Sequence, residues 1–99
     1  MAHRLSPRAE ADLDDIWLYV ARESGSVETA NRLIDVITDR FCTLAGFPWI
    51  GRSREEDFGD GYRSFAVGEY VIIYCVERDD VLILRVVHGR RQLDSLFGQ

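Results

Sequence analysis

The chain has 99 residues, 46 % of them hydrophobic, which is enough for one buried core and too few for two ordinary domains, so residues 1–99 are expected to form a single domain. A formal charge of −5, with all 12 basic residues arginine, argues against a general nucleic-acid-binding surface, because phosphate affinity comes mainly from excess positive charge, and no direct sequence-specific nucleic-acid binding by this chain alone is expected. No apolar run approaches the length of a membrane span and no secretory pattern opens the chain, so the expected compartment is the cytoplasm.

His3 to Leu5 reads as a short edge strand, and Ser6-Pro7 as a helix start, with Ser as N-cap and Pro in the first turn. Ala9, Leu13, Ile16, Trp17 and Val20 then recur at helical steps along one buried face. Glu10, Asp12, Asp14 and Asp15 load the N-terminal half with acids that favour the helix dipole and read as a solvated face. Ser24-Gly25-Ser26 ends this helix. A second begins near Ser26 or Val27 and carries Ala30, Leu33, Ile34, Ile37, Phe41 and Leu44 as its stripe, until Gly46 and Pro48 stop it. Two amphipathic helices with so short a joint form an antiparallel hairpin, and its apolar face needs a cover.

Phe47 to Gly61 reads as a loop of about fifteen residues, long enough to suggest binding or mobility. Tyr62–Val67, Tyr70–Glu77 and Val81–His88 are rich in β-branched and aromatic residues and make a three-strand meander joined at Gly68-Glu69 and Arg78-Asp79-Asp80. Gly89 breaks the last strand, and a short helical turn is expected within Arg90–Phe97. The predicted architecture is α+β in the order β-α-α-β-β-β: a helix hairpin packed on a mainly antiparallel sheet.

Cys42 and Cys75 are too few for a disulfide framework and too far apart for a zinc motif, so both are expected to be buried free thiols. No nucleophile elbow, phosphate loop, dinucleotide fingerprint or metalloprotease motif occurs, and neither a metal nor a cofactor is expected. Strict strand alternation puts Arg63 with Phe65 and Val67, and Arg85 with Ile83 and Val87. An arginine inside an apolar strand needs either a carboxylate partner, such as Glu69, Glu77 or the acidic loop, or a functional role. His88, at a strand end, reads as a hydrogen-bonded structural histidine, with Arg90 and Arg91 projecting beyond Gly89. Residues 81–99 hold three arginines against one acid, whereas residues 1–80 hold nine against sixteen. That local excess suits recognition of a partner.

Several stretches resemble the ParE branch of the RelE/ParE toxin superfamily. They are Ser6-Pro7-Arg8-Ala9-Glu10-Ala11-Asp12-Leu13 followed by Ile16-Trp17; Pro48 with Gly51-Arg52; Tyr62-Arg63-Ser64; Gly68-Glu69-Tyr70-Val71-Ile72-Ile73-Tyr74; and Arg85-Val86 with His88-Gly89-Arg90-Arg91. The resemblance implies a toxin of a type II toxin–antitoxin system that inhibits DNA gyrase by binding and is not itself an enzyme. It also implies a co-encoded ParD-like antitoxin in a hetero-oligomer with the toxin. On this reading Arg63, Arg85, His88, Arg90 and Arg91 contact the target, and Leu13, Trp17, Leu33 and Ile37 line or border the antitoxin groove. The alternatives are a RelE-like ribosome-dependent mRNA endonuclease and a non-toxic binding module of the same fold. RelE-like nucleases use basic residues on the first two meander strands, a later Arg and a C-terminal Tyr. The matching positions here are Arg63, Phe65, Val71, Arg91 and Phe97, and the Phe and Val side chains offer no group for proton transfer or charge stabilisation.

Overall fold

Local chemistry sets the helix boundaries. In the computed structural model, which describes residues 2–89, α1 spans Pro7–Ser24 and α2 spans Val27–Gly46. The Ser6 hydroxyl accepts the Ala9 N–H at 3.0 Å and the Ser26 hydroxyl accepts the Thr29 N–H at 3.1 Å, so each helix starts on a side-chain cap worth about 1 kcal/mol. Gly25 closes α1 in the left-handed conformation at φ 68°, which only glycine adopts readily. Both helix starts and both ends fall where the sequence places them. No described helix is long and apolar enough to cross a membrane.

Five strands form one mixed sheet in the order β1-β5-β4-β3-β2, where β1 is Ala2–Leu5, β2 Arg52–Ser53, β3 Tyr62–Val67, β4 Tyr70–Glu77 and β5 Asp80–His88. β3, β4 and β5 are the expected antiparallel meander, while β1 joins the edge of β5 in parallel. Within the loop expected from Phe47 to Gly61 lie β2, paired with the start of β3, and a single-turn helix α3, Glu55–Phe58. Elements this short contain too few residues to display a period, so sequence patterning misses them. The turn expected within Arg90–Phe97 falls outside the described residues.

The hairpin packs on one sheet face through Ala9 and Ile16 of α1 and Ile37, Phe41 and Leu44 of α2. These meet Ile72 and Tyr74 of β4 and Val81, Ile83 and Val86 of β5. One irregularity corrects the sequence reading of β5. Ile73 pairs with Arg85 but Tyr74 pairs with Ile83, leaving Leu84 as an extra residue in a β-bulge. Ile83 and Val86 therefore share the core face, and Arg85 lies in the row of Ile73, not with Ile83 as strict alternation predicts. A further correction concerns the thiols, since Cys42 is exposed and Cys75 half-buried. Cys42 sits on α2 next to buried Phe41, one position off the apolar stripe.

Candidate functional site

β1 ends at Leu5, halfway along β5, and the first turns of α1 take over the uncovered edge. The Ser6 N–H donates to the Ile83 carbonyl and its hydroxyl to the Leu84 carbonyl, both at 2.9 Å. Asp12 then accepts the Val86 N–H at 2.9 Å and holds Arg85 in a two-pronged pair, Nε at 2.8 Å and Nη2 at 3.2 Å. The partner of Arg85 is thus none of those expected from sequence. Asp12, read there as part of a solvated face, is only 5 % exposed and faces β5. Arg8 stands on the outside of the same carboxylate at 3.8 Å. Such an arrangement orders a strand edge and offers no group free for proton transfer.

Arg63 serves a different end of the sheet. Its row runs Arg63–Tyr74–Ile83, whereas His88 lies in the row Val67–Tyr70–His88, four residues further along the strands, or about 13 Å. The Arg63 Nη1 donates to the Gly51 carbonyl at 2.6 Å and the Trp49 carbonyl at 3.2 Å, and its guanidinium lies 5.1 Å from the Trp49 ring centre. Beneath it the Tyr74 hydroxyl, wholly buried, donates to the Pro48 carbonyl and accepts the Gly51 N–H, both at 2.9 Å. Burial pushes the Tyr74 hydroxyl pKa up, against the opposing pull of the Gly51 N–H and the Arg63 charge. The loop from Pro48 to Gly51 is therefore tied down from two sides. Gly51 has no room for a side chain, because a Cβ would overlap the Tyr74 hydroxyl and stand 2.8 Å from the Ser64 carbonyl oxygen. Gly51→Ala is expected to lower the unfolding free energy by about 1–3 kcal/mol, read from a denaturant melt, because the loop must be displaced to admit a methyl group. Wild-type stability in that variant would mean that the loop is loosely held.

His88 meets Tyr70 edge-on at 5.5 Å between ring centres and approaches Glu69 at 3.9 Å. It lines an open groove of about 520 Å³ together with Tyr19, Leu33, Val36 and Tyr70. The sequence reading assigned Leu33 and His88 to different partners, and the fold brings them to one groove. Leu13 and Trp17 line a second groove with Leu5 and Ile34, rimmed by Glu10 and Asp14, and the Trp17 indole N–H donates to Asn31 at 2.7 Å. Ile37 lies in the core with no exposed surface. Arg90 and Arg91 fall outside the described residues. The five arginine and histidine positions proposed for the target therefore do not form one described cluster. Arg85 is turned inward to Asp12, Arg63 is fixed beside Trp49, and His88 borders a groove. Among the described residues no group of three or more His, Cys, Asp and Glu side chains is placed to hold a metal ion.

Sequence patterning missed Asp12, which looks like any other acid in the first helix, and Tyr74, which looks like ordinary strand core. It also missed Trp49, for which the apolar run Phe47-Pro48-Trp49-Ile50, inside a segment expected to be a loop, was the available signal.

The family model described as the ParE toxin of the type II toxin–antitoxin system, parDE, matches residues 4–93. Toxin ParE1 of Caulobacter vibrioides is 40 % identical over 96 residues, which is 97 % of this chain and 97 % of that protein. Toxin ParE3 of the same bacterium is 34 % identical over 88 residues, 89 % of this chain and 86 % of that one. Among solved structures, a chain of the chromosomal ParDE TA system from P. aeruginosa matches with a TM-score of 0.77 at 22 % identity, covering 89 % of this chain and 95 % of its own. That last likeness is one of fold.

Proposed function

The chain belongs to the ParE toxin family of type II toxin–antitoxin systems, and from that premise we propose that it arrests growth by binding DNA gyrase, without bond chemistry of its own, and is neutralised by a co-encoded ParD-like antitoxin. The observation that carries the binding reading is how the sheet arginines are used. Arg85 is held by Asp12 and Arg63 by two backbone carbonyls, and the other strand positions where an RNase would need bases and charge-stabilising groups are Phe65 and Val71. An acidic protein is also poorly suited to working on ribosomal RNA.

In this reading the target is met by His88 and the arginines that follow it, Arg90 and Arg91, with Arg63 as a separate contact. The antitoxin covers the grooves of the helix hairpin, where Leu13 and Trp17 line one and Leu33 the other. Because Leu33 and His88 share a groove, an antitoxin segment seated against Leu33 also covers His88. Neutralisation would then follow from occlusion. Such a segment fits the recognition mode in which an amphipathic helix lays its apolar face in a groove. A cytoplasmic location follows from the proposed target.

Expression in a bacterial host tests the reading. DNA-damage signalling, filamentation and loss of supercoiling by purified gyrase are expected, each abolished by the antitoxin. Immediate loss of translation with cut mRNA would establish the endonuclease instead, and no effect on growth would leave a binding module. Charge reversal at both Arg90 and Arg91 is expected to abolish growth inhibition, and full inhibition by that variant would remove those arginines from the target contact.

A further inference from the structure

The groove that holds Leu13 and Trp17 differs from its neighbour in charge. It is open, about 520 Å³ in volume, and its apolar lining comes from three elements: Leu5 of β1, Leu13 and Trp17 of α1, and Ile34 of α2. Leu5, Leu13 and Ile34 also pack against the core, so the walls are set by the fold. Two carboxylates, Glu10 and Asp14, complete the lining, both exposed and one helical turn apart, roughly 6 Å along the axis of α1. Among the described residues neither has an ion-pair partner, whereas Asp12, between them in the chain, is held by Arg85 and Arg8. Like charges four residues apart on a helix repel. The helix dipole offsets such repulsion only in the first turn, and Asp14 lies beyond it. The free chain thus carries an uncompensated pair of negative charges beside an apolar groove, and a cation brought there relieves it. The groove of Leu33 and His88 has a single acid, Glu69, which stands 3.9 Å from His88.

We propose that this groove takes a segment of the antitoxin that carries an arginine or lysine next to its apolar anchors, and that Glu10 and Asp14 are the residues that select it. The proposal rests on the reading of the chain as a toxin neutralised by a co-encoded antitoxin. The apolar anchors cover Leu13 and Trp17, the basic side chain meets the two carboxylates, and an antitoxin with an acid at that place is rejected by repulsion. Other occupants fit worse. The phosphates of a nucleic acid or an anionic membrane are repelled by both carboxylates. A second copy of this chain seated symmetrically on the groove brings four carboxylates together. The target contact, placed on His88, Arg90 and Arg91, calls for acidic groups, opposite in sign to what this groove needs.

The double variants Glu10→Gln with Asp14→Asn, and Glu10→Lys with Asp14→Lys, test the proposal, with Trp17→Ala beside them. Each purified toxin is assayed for affinity to the co-encoded antitoxin at low and high salt and for thermal melting, and each is expressed without antitoxin for growth arrest. The neutral pair is expected to bind the antitoxin about five- to tenfold more weakly, mostly through slower association, and to lose most of the salt dependence of the wild type. Charge reversal is expected to weaken binding further, while both doubles fold and arrest growth as the wild type does. One arginine-to-glutamate or lysine-to-glutamate change in the antitoxin is expected to restore binding to the reversed toxin. Wild-type affinity and salt dependence in the neutral pair overturn the charge contact, and if Trp17→Ala weakens binding in the same assay, the antitoxin reading stands without it. Failure of every such antitoxin change to restore binding likewise overturns the contact. Growth arrest lost with antitoxin binding intact gives the groove to the target and overturns the proposal. A wild-type chain that its co-encoded partner neither binds nor neutralises overturns both the proposal and the reading beneath it.

Discussion

Asp12→Ala is expected to lower the unfolding free energy by about 3 kcal/mol, near the lower end for breaking a buried ion pair because the Arg85 side chain keeps 21 % of its surface in water. For a domain of this size that is a fall of roughly 12–24 °C in melting temperature. One carboxylate does three things at the point where β1 stops: it neutralises Arg85 at 2.8 Å, satisfies the Val86 N–H at 2.9 Å and fixes α1 against β5. Alanine leaves a guanidinium and a backbone donor without their acceptor. Asp12→Asn separates these contributions, since an amide oxygen still accepts the Val86 N–H while the charge is gone, and it is expected to lose about half as much. Replacing Asp12 and Arg85 together by leucine is expected to recover most of the ion-pair loss but not the loss at Val86, because apolar side chains do not accept a backbone hydrogen bond. A melting temperature within a degree or two of wild type in Asp12→Ala would show that the strand edge is held by packing alone. Toxicity is expected to fall in proportion to the folded fraction, without a separate effect on target affinity.

The helices were legible in the sequence because each carries its whole specification locally: a serine cap, a stripe at helical spacing, and a Gly or Gly-Pro stop. The meander strands were legible for the same reason, from β-branched runs with short turns between them. What could not be read was anything set by pairing. The bulge at Leu84 arises from the register of β5 against β4, and one extra residue was enough to put Arg85 on the opposite face from Ile83. Alternation alone has no term for such a slip.

The candidate site divides in the same way. That Arg85 and Arg63 each need a partner follows from the energetics of an arginine in an apolar strand, and both have one. Which partner each finds does not follow, because Asp12 is 73 residues away from Arg85 in the chain and the partners of Arg63 are backbone carbonyls that carry no sequence signature. Trp49 was overlooked because an aromatic residue in a loop is informative only when something in three dimensions is seen to hold it there. Leu33 and His88 were assigned to separate partners because helix periodicity and strand position are read independently, whereas the groove they line exists only after α2 crosses the sheet.

Ile37→Ala is expected to destabilise the protein by about 2–5 kcal/mol, with no change in antitoxin affinity per folded molecule. Ile37 was placed on the antitoxin groove by its position in the apolar stripe of α2, yet it has no exposed surface and sits among the core side chains of both layers. Removing three of its carbons opens a cavity that the surrounding rigid sheet cannot close, so the loss includes transfer energy and lost contacts. Leu13 and Trp17 should behave in the opposite sense. Both are half-buried and open to the groove, so Leu13→Ala and Trp17→Ala are expected to weaken antitoxin binding by more than they weaken the fold. The Trp17 bond to Asn31 is exposed and its loss is correspondingly small. Measuring antitoxin affinity and denaturant midpoint on the three variants side by side separates the two roles. An Ile37→Ala protein that is stable but no longer neutralised would place this residue in the antitoxin contact, and would require the groove to open down to the core when the antitoxin binds.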